Sequence, residues 1–182
     1  MIDFEYVARG IDVLSASLGS TALICIDGRA GSGKTTCALG LKAHLPHAEI
    51  IHMDDLYEGW TNALDRRLSD RIETQIIEPL MNNQNAKYQR FDWNLNSFAQ
   101  WVEVPKTRLL ILEGVGSAQL SVRKHAALTI WISIDAATGA QRVLARDGDI
   151  SAGNIAQWQI QEDEHFEINQ TPLMCDLTFS GV

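Results

Sequence analysis

An α/β fold with a largely parallel sheet is the arrangement this sequence predicts, on three observations. Short apolar runs alternate along the chain with segments of helical periodicity, as in sheets whose strands are joined by helical crossovers. The runs Ala22–Ile26 and Leu109–Leu112 are apolar without alternation, the pattern of strands buried on both faces. A glycine-rich turn, Gly28–Gly33, stands between the first such run and a helical segment.

The elements follow in order. Phe4, Val7, Ile11, Leu14 and Leu18 recur at helical spacing, and Gly19 stops that helix. Ala22–Ile26 is the first strand, and Lys34–Leu45 is a helix ended by Pro46. Ile50–Met53 is a second strand, and Ala63–Leu80 a helix with Leu64, Leu68, Ile72, Ile76 and Leu80 on one face. The stretch Asn82–Trp101 is polar, rich in Asn and Gln, and reads as mostly loop. Leu109–Leu112 and Leu128–Ile134 are strands, Thr138–Arg146 and Ile155–Phe166 helices, and Leu177–Phe179 a closing strand. With no linker, repeat or low-complexity tract, residues 1–182 read as a single domain.

Composition narrows the classes. A chain of 182 residues can bury a sizeable core, and 46% hydrophobic with 21% charged residues describes an ordinary globular protein rather than a disordered or fibrous one. The formal net charge of −8 lacks the basic footprint of a general nucleic-acid binder. Cys25, Cys37 and Cys175 form no metal-ligand or CxxC spacing and read as structural thiols. The acidic start Met1–Glu5 does not read as a signal peptide, and no apolar run approaches the ~20 residues of a membrane span. The expectation is a cytoplasmic protein without a membrane or nucleic-acid partner, with homo-oligomerisation left open.

The chemistry concentrates in three places. Gly28-Arg29-Ala30-Gly31-Ser32-Gly33-Lys34-Thr35, followed by Thr36, is a full GxxxxGK[ST] match between a strand and a helix; chance predicts roughly 0.003 such matches in a chain like this. Glycines let the backbone curl round phosphates with N–H groups inward, and the following helix presents its positive end. Lys34 would bridge the β- and γ-phosphates of a nucleoside triphosphate and the Thr35 hydroxyl would ligate Mg²⁺. A local device of this kind lets an acidic protein hold a polyanion. At the exit of the second strand stand Asp54 and Asp55, where a carboxylate could take a proton from a substrate hydroxyl or hold Mg²⁺. The strand Leu109–Leu112 ends in Glu113-Gly114, where a P-loop site needs an acid for the metal and its water. The five histidines read as surface or packing residues, Trp131 as core, Trp93 as a ring able to stack on a planar group, and Arg66 and Arg67 as a solvated helix face.

The set Gly28–Thr35, Asp54-Asp55-Leu56-Tyr57 and Glu113-Gly114, with Arg90-Phe91-Asp92-Trp93, resembles the uridine kinase and phosphoribulokinase branch of P-loop kinases. The resemblance runs from about Ala22 to Phe179, and its specific part is the phosphate loop. It implies a nucleoside monophosphate kinase-like, three-layer P-loop NTPase fold with a mostly parallel five-stranded sheet. It further implies that Asp54 is the general base, that Thr35, Asp54 and Glu113 surround Mg²⁺, and that Tyr57 and Arg90–Trp93 line the acceptor pocket, Arg90, Asp92 and Trp93 with it. Arg142 and Arg146 would belong to a short lid over residues 142–151, which departs from the family pattern in carrying no later arginine. The expected activity is transfer of the ATP γ-phosphoryl group to a hydroxyl of a small molecule of nucleoside type. The alternative is an ATP-binding switch or regulatory ATPase without such an acceptor.

Overall fold

The computed structural model describes residues 2–148 and 152–181. Five strands form an all-parallel sheet: β1 (Ala22–Gly28), β2 (Ala48–His52), β5 (Leu109–Glu113), β6 (Leu128–Ser133) and β7 (Leu177–Ser180), in the order β2-β5-β1-β6-β7. Alternate side chains of the central strands supply two cores. Ile24, Ile26, Ile111 and Ile130 pack with α1 (Phe4–Asp12) and α2 (Lys34–His44) on one face. Leu23, Cys25, Leu112 and Trp131 pack on the other with α3 (Arg66–Ile72), α4 (Glu78–Met81) and α7 (Ala152–Asn169). This double burial explains the unbroken apolar runs. The remaining helices are α5 (Leu120–Arg123), α6 (Ala136–Asp147) and α8 (Thr171–Met174). Among the described residues, no helix is long and apolar enough to cross a membrane.

Three expectations are corrected. The first helix stops at Asp12 rather than Leu18, because the Ser17 and Leu18 N–H groups donate to the Thr21 carbonyl in a tight turn; Leu18 stays buried, so its apolar spacing marks the core and not a helix. The helix expected over Ala63–Leu80 begins at Arg66, capped by Asp65, and widens into a π turn over Glu73–Ile77. Pro79 has no N–H to offer the carbonyl four residues back, which favours that widening. Asn82–Trp101 is not mostly loop: β3 (Ala86–Asp92) and β4 (Ser97–Val104) form an antiparallel hairpin. Its alternation is hidden by a bulge between Gln89 and Phe91 and by the polar outer face, while Ala86, Tyr88 and Phe91 are buried.

One side chain joins the strand exits that will matter below. Asp27, near the end of β1, is 0% exposed, and its carboxylate accepts hydrogen bonds from the N–H groups of Gly28 (2.7 Å), Gly116 (3.0 Å) and Ala118 (2.9 Å). It thereby ties the loop after β5 to the loop after β1. Burial pushes its pKa up to about 6 against those three donors and Lys34. Asp27→Ala would strand three buried donors, and we expect a loss of ~2–4 kcal/mol in urea or guanidinium unfolding. Because the folded state holds the Asp27 proton at a pH where the unfolded chain has released it, its contribution to stability grows as pH falls from about 6 towards the ordinary carboxylate value. Unfolding free energies at pH 5 and pH 7 should therefore differ by less in Asp27→Asn than in the wild type.

Candidate active site

The Gly28–Thr35 loop runs from the end of β1 into α2. Gly33 takes a left-handed φ of 97° as the residue before α2, and no side chain caps the helix, so its first N–H groups stay available to an anion. Gly31, at φ 77°, lies against α6: a Cβ there would stand 2.3 Å from the Gly139 carbonyl oxygen. Lys34 is largely buried and folds back across the loop, its Nζ donating to the Arg29 carbonyl at 2.8 Å. Two buried polar atoms of the loop, Ser32 Oγ and Arg29 Nη1, have no hydrogen-bond partner. Arg29 Nη1 is instead ion-paired with the Glu162 carboxylate at 3.5 Å, and Ser32 does not line the cavity beside the loop.

Strand register brings the acids to this loop. β5 lies between β1 and β2, and Glu113 is the register partner of Ile26 on one side and His52 on the other. Glu113 Oε1 accepts the Thr35 hydroxyl at 3.0 Å and lies 2.5 Å from His52 Nδ1. That bond raises the His52 pKa and fixes the half-exposed imidazole against the Glu113 carboxylate, outside the cavity lining. Asp54 sits in the single turn Met53–Asp55 after β2. Its carboxylate meets the solvent of the cleft but is set deep in the protein body, and burial raises its pKa, opposed by Lys34 and reinforced by Glu113. Asp55 turns away and accepts the Tyr88 hydroxyl at 2.9 Å. Thr35, Glu113 and Asp54 offer oxygen donors of the kind Mg²⁺ takes. Among the described residues no group of three or more His, Cys, Asp or Glu is placed to hold a metal ion.

These groups share one cavity of about 460 Å³. Arg29–Gly31 and Gly33–Thr36 line it, while Gly28 and Ser32 stand behind the loop. Asp54, Glu113, Tyr57 and Trp93 line it, as do Arg142 and Arg146 of α6. Arg142 approaches the Gly31 carbonyl at 3.4 Å, and Arg146 is held by a two-pronged bond to Asp147. Residues 149–151 of the expected lid lie outside the described residues. Two acceptor-pocket expectations fail: Arg90 points along the hairpin to Gln100, and Asp92 accepts the Asn94 and Leu95 N–H groups of its own turn. Trp93 does reach the cavity, with its indole N–H on the Asp54 carbonyl at 3.1 Å. Tyr57 contributes its ring only, since its hydroxyl donates to the Val115 carbonyl. Arg66 and Arg67 pair with Asp70, Asp65 and Glu58 away from this cavity.

Sequence reading missed Asp27, Trp60, Trp158 and Glu162. Trp60 packs on Trp93 and Trp158 at ring separations of 5.2 and 5.8 Å, giving the cleft an aromatic wall. Trp158 and Glu162, one helical turn apart on α7, carried a visible i, i+4 signal. Gly31→Ala should force loop and α6 apart and lower stability by ~1–3 kcal/mol, read as a lower unfolding midpoint.

No protein-family profile matches the chain, and no curated protein matches it by sequence. Solved structures do. A "Possible Uridine Kinase" from Bacillus stearothermophilus superposes with a TM-score of 0.71 at 17% identity, covering 97% of this chain and 96% of the other. A "putative fructose transport system kinase" from Silicibacter sp. TM1040 gives 0.66 at 20% identity, covering 98% and 100%. D-glycerate 3-kinase from Cryptococcus neoformans gives 0.53 at 14% identity, covering 93% and 84%. With its five-stranded all-parallel sheet and these superpositions, the chain has the P-loop kinase fold.

Proposed function

We propose that the protein is an ATP-dependent kinase that transfers the γ-phosphoryl group to a hydroxyl of a small molecule of nucleoside type. The observation that carries this reading is the meeting of Lys34, Thr35, Glu113 and Asp54 in one cavity with an aromatic wall. When bound, ATP supplies the phosphoryl group and Mg²⁺ offsets its charge. The loop N–H groups and Lys34 hold the phosphates, and Thr35 and Glu113, with Asp54, hold the ion and its waters. Asp54 accepts the proton of the acceptor hydroxyl at its carboxylate, and its raised pKa brings it nearer the working range of a general base. Arg142 and Arg146 approach from α6 to cover the transferring group. Trp60, Trp93 and Trp158 give the flat body of the acceptor rings to lie against.

The test is ATP turnover with a panel of nucleosides, sugars and simple alcohols. Lys34→Ala should lose ~2–4 kcal/mol of transition-state stabilisation, roughly 30- to 1000-fold in rate, without unfolding; wild-type turnover in that variant would sink the assignment. Asp54→Asn keeps the shape but takes no proton, so nucleotide affinity should hold within a few-fold while transfer falls by about 10²–10⁴. A larger loss in Asp55→Asn would move the base to that residue.

A further inference from the structure

The phosphate loop already holds an anion of the protein's own. Glu162 of α7 is 1% exposed and lines the nucleotide cavity. Its Oε1 accepts the Ala30 N–H at 2.7 Å and the Trp158 indole N–H at 2.8 Å, and its Oε2 lies 3.5 Å from Arg29 Nη1. Arg29 is also drawn to Asp163 on the same helix. A loop that must receive a polyanion thus has one of its backbone donors and its one guanidinium turned to carboxylates.

Position along the loop says which phosphate this concerns. The N–H groups at the start of α2 form one end. Arg29 and Ala30 form the other, and the Lys34 ammonium, the group that spans β- and γ-phosphates, reaches to that end through the Arg29 carbonyl. We propose that Glu162 sets the preference of this site between nucleoside tri- and diphosphates: its carboxylate occupies the donors at the terminal-phosphate end, so a triphosphate has to displace or repel it and a diphosphate does not. Trp158 is the retaining group, because its N–H shares the Glu162 oxygen with Ala30 while its ring stands in the acceptor wall against Tyr57 and Trp60. One oxygen atom therefore links the terminal-phosphate end of the loop to the wall of the acceptor pocket. This inference rests on the nucleotide-binding reading above.

Calorimetric titration with the Mg²⁺ complexes of a non-hydrolysable ATP analogue and of ADP tests it. Glu162→Gln keeps an oxygen for both N–H donors and removes the charge. It should bind the triphosphate about tenfold tighter and ADP within about twofold of wild type. Trp158→Phe keeps a ring in the wall and frees the carboxylate, so it should shift the triphosphate-to-diphosphate ratio the same way by about two- to threefold. An unchanged ratio in Glu162→Gln, or equal weakening of both nucleotides, would overturn the proposal and leave Glu162 a structural clip. Should Glu162→Gln fail to fold, the Trp158→Phe ratio decides by the same criterion. A wild-type protein that binds neither nucleotide would overturn the kinase reading itself, an outcome distinct from an unchanged ratio.

Discussion

The parallel register of β5 between β1 and β2 is the constraint on which the rest of the molecule depends. It sets Glu113 beside the root of the phosphate loop on one side and beside His52 on the other. No side chain has to reach far to build the site: Thr35 meets Glu113 at 3.0 Å because two neighbouring strands end at the same level. Asp27 then locks that level in place, since its three accepted N–H bonds join the exits of β1 and β5. Breaking this register would flip core residues between faces as well as scatter the acids.

Charge is arranged unusually tightly around this point. Asp27, Asp54 and Glu162 all have raised pKa values because each is set deep in the protein body, Asp27 and Glu162 fully buried and Asp54 open to the cleft, and each is opposed by Lys34. A protein of net charge −8 therefore keeps the Lys34 ammonium inside a ring of its own acids. On the proposed reading, such a site would hold a polyanion through directed N–H groups and one ammonium, with little help from the long-range field.

Much of this was legible beforehand because it is local. The phosphate loop is contiguous, its glycines and its lysine fall at fixed spacing, and the doubly buried strands announce themselves as unbroken apolar runs. Asp54 and Glu113 could be placed because each ends a strand. What stayed hidden depends on contacts distant in sequence. The hairpin over Ala86–Val104 buries only part of its alternation and carries a bulge, so its period-two pattern is broken at Gln89–Phe91. The resemblance of Arg90–Trp93 to a family motif puts Arg90 and Asp92 in the pocket, yet Arg90 bonds Gln100 along the hairpin and Asp92 closes its own Asx-type turn. His52 and Glu162 gain their meaning from partners 61 and 132 residues away.

Among the described residues the β3–β4 hairpin is a sheet of its own, hydrogen-bonded to no strand of the main sheet. It is fastened by the Tyr88 hydroxyl on Asp55, the Gln75 side chain on the Gln89 N–H, and the Trp93 indole on the Asp54 carbonyl. Its turn is the only part of it that meets the cleft among the described residues. Such a unit is partly modular: turn residues other than Trp93 can be exchanged without touching the register of the main sheet or the phosphate loop. If the proposed activity holds, the lining of the cleft at Trp93 could change while the phosphate loop stays where it is. One scaffold can in this way diversify its substrates by altering a few residues at the tip of an appended ribbon.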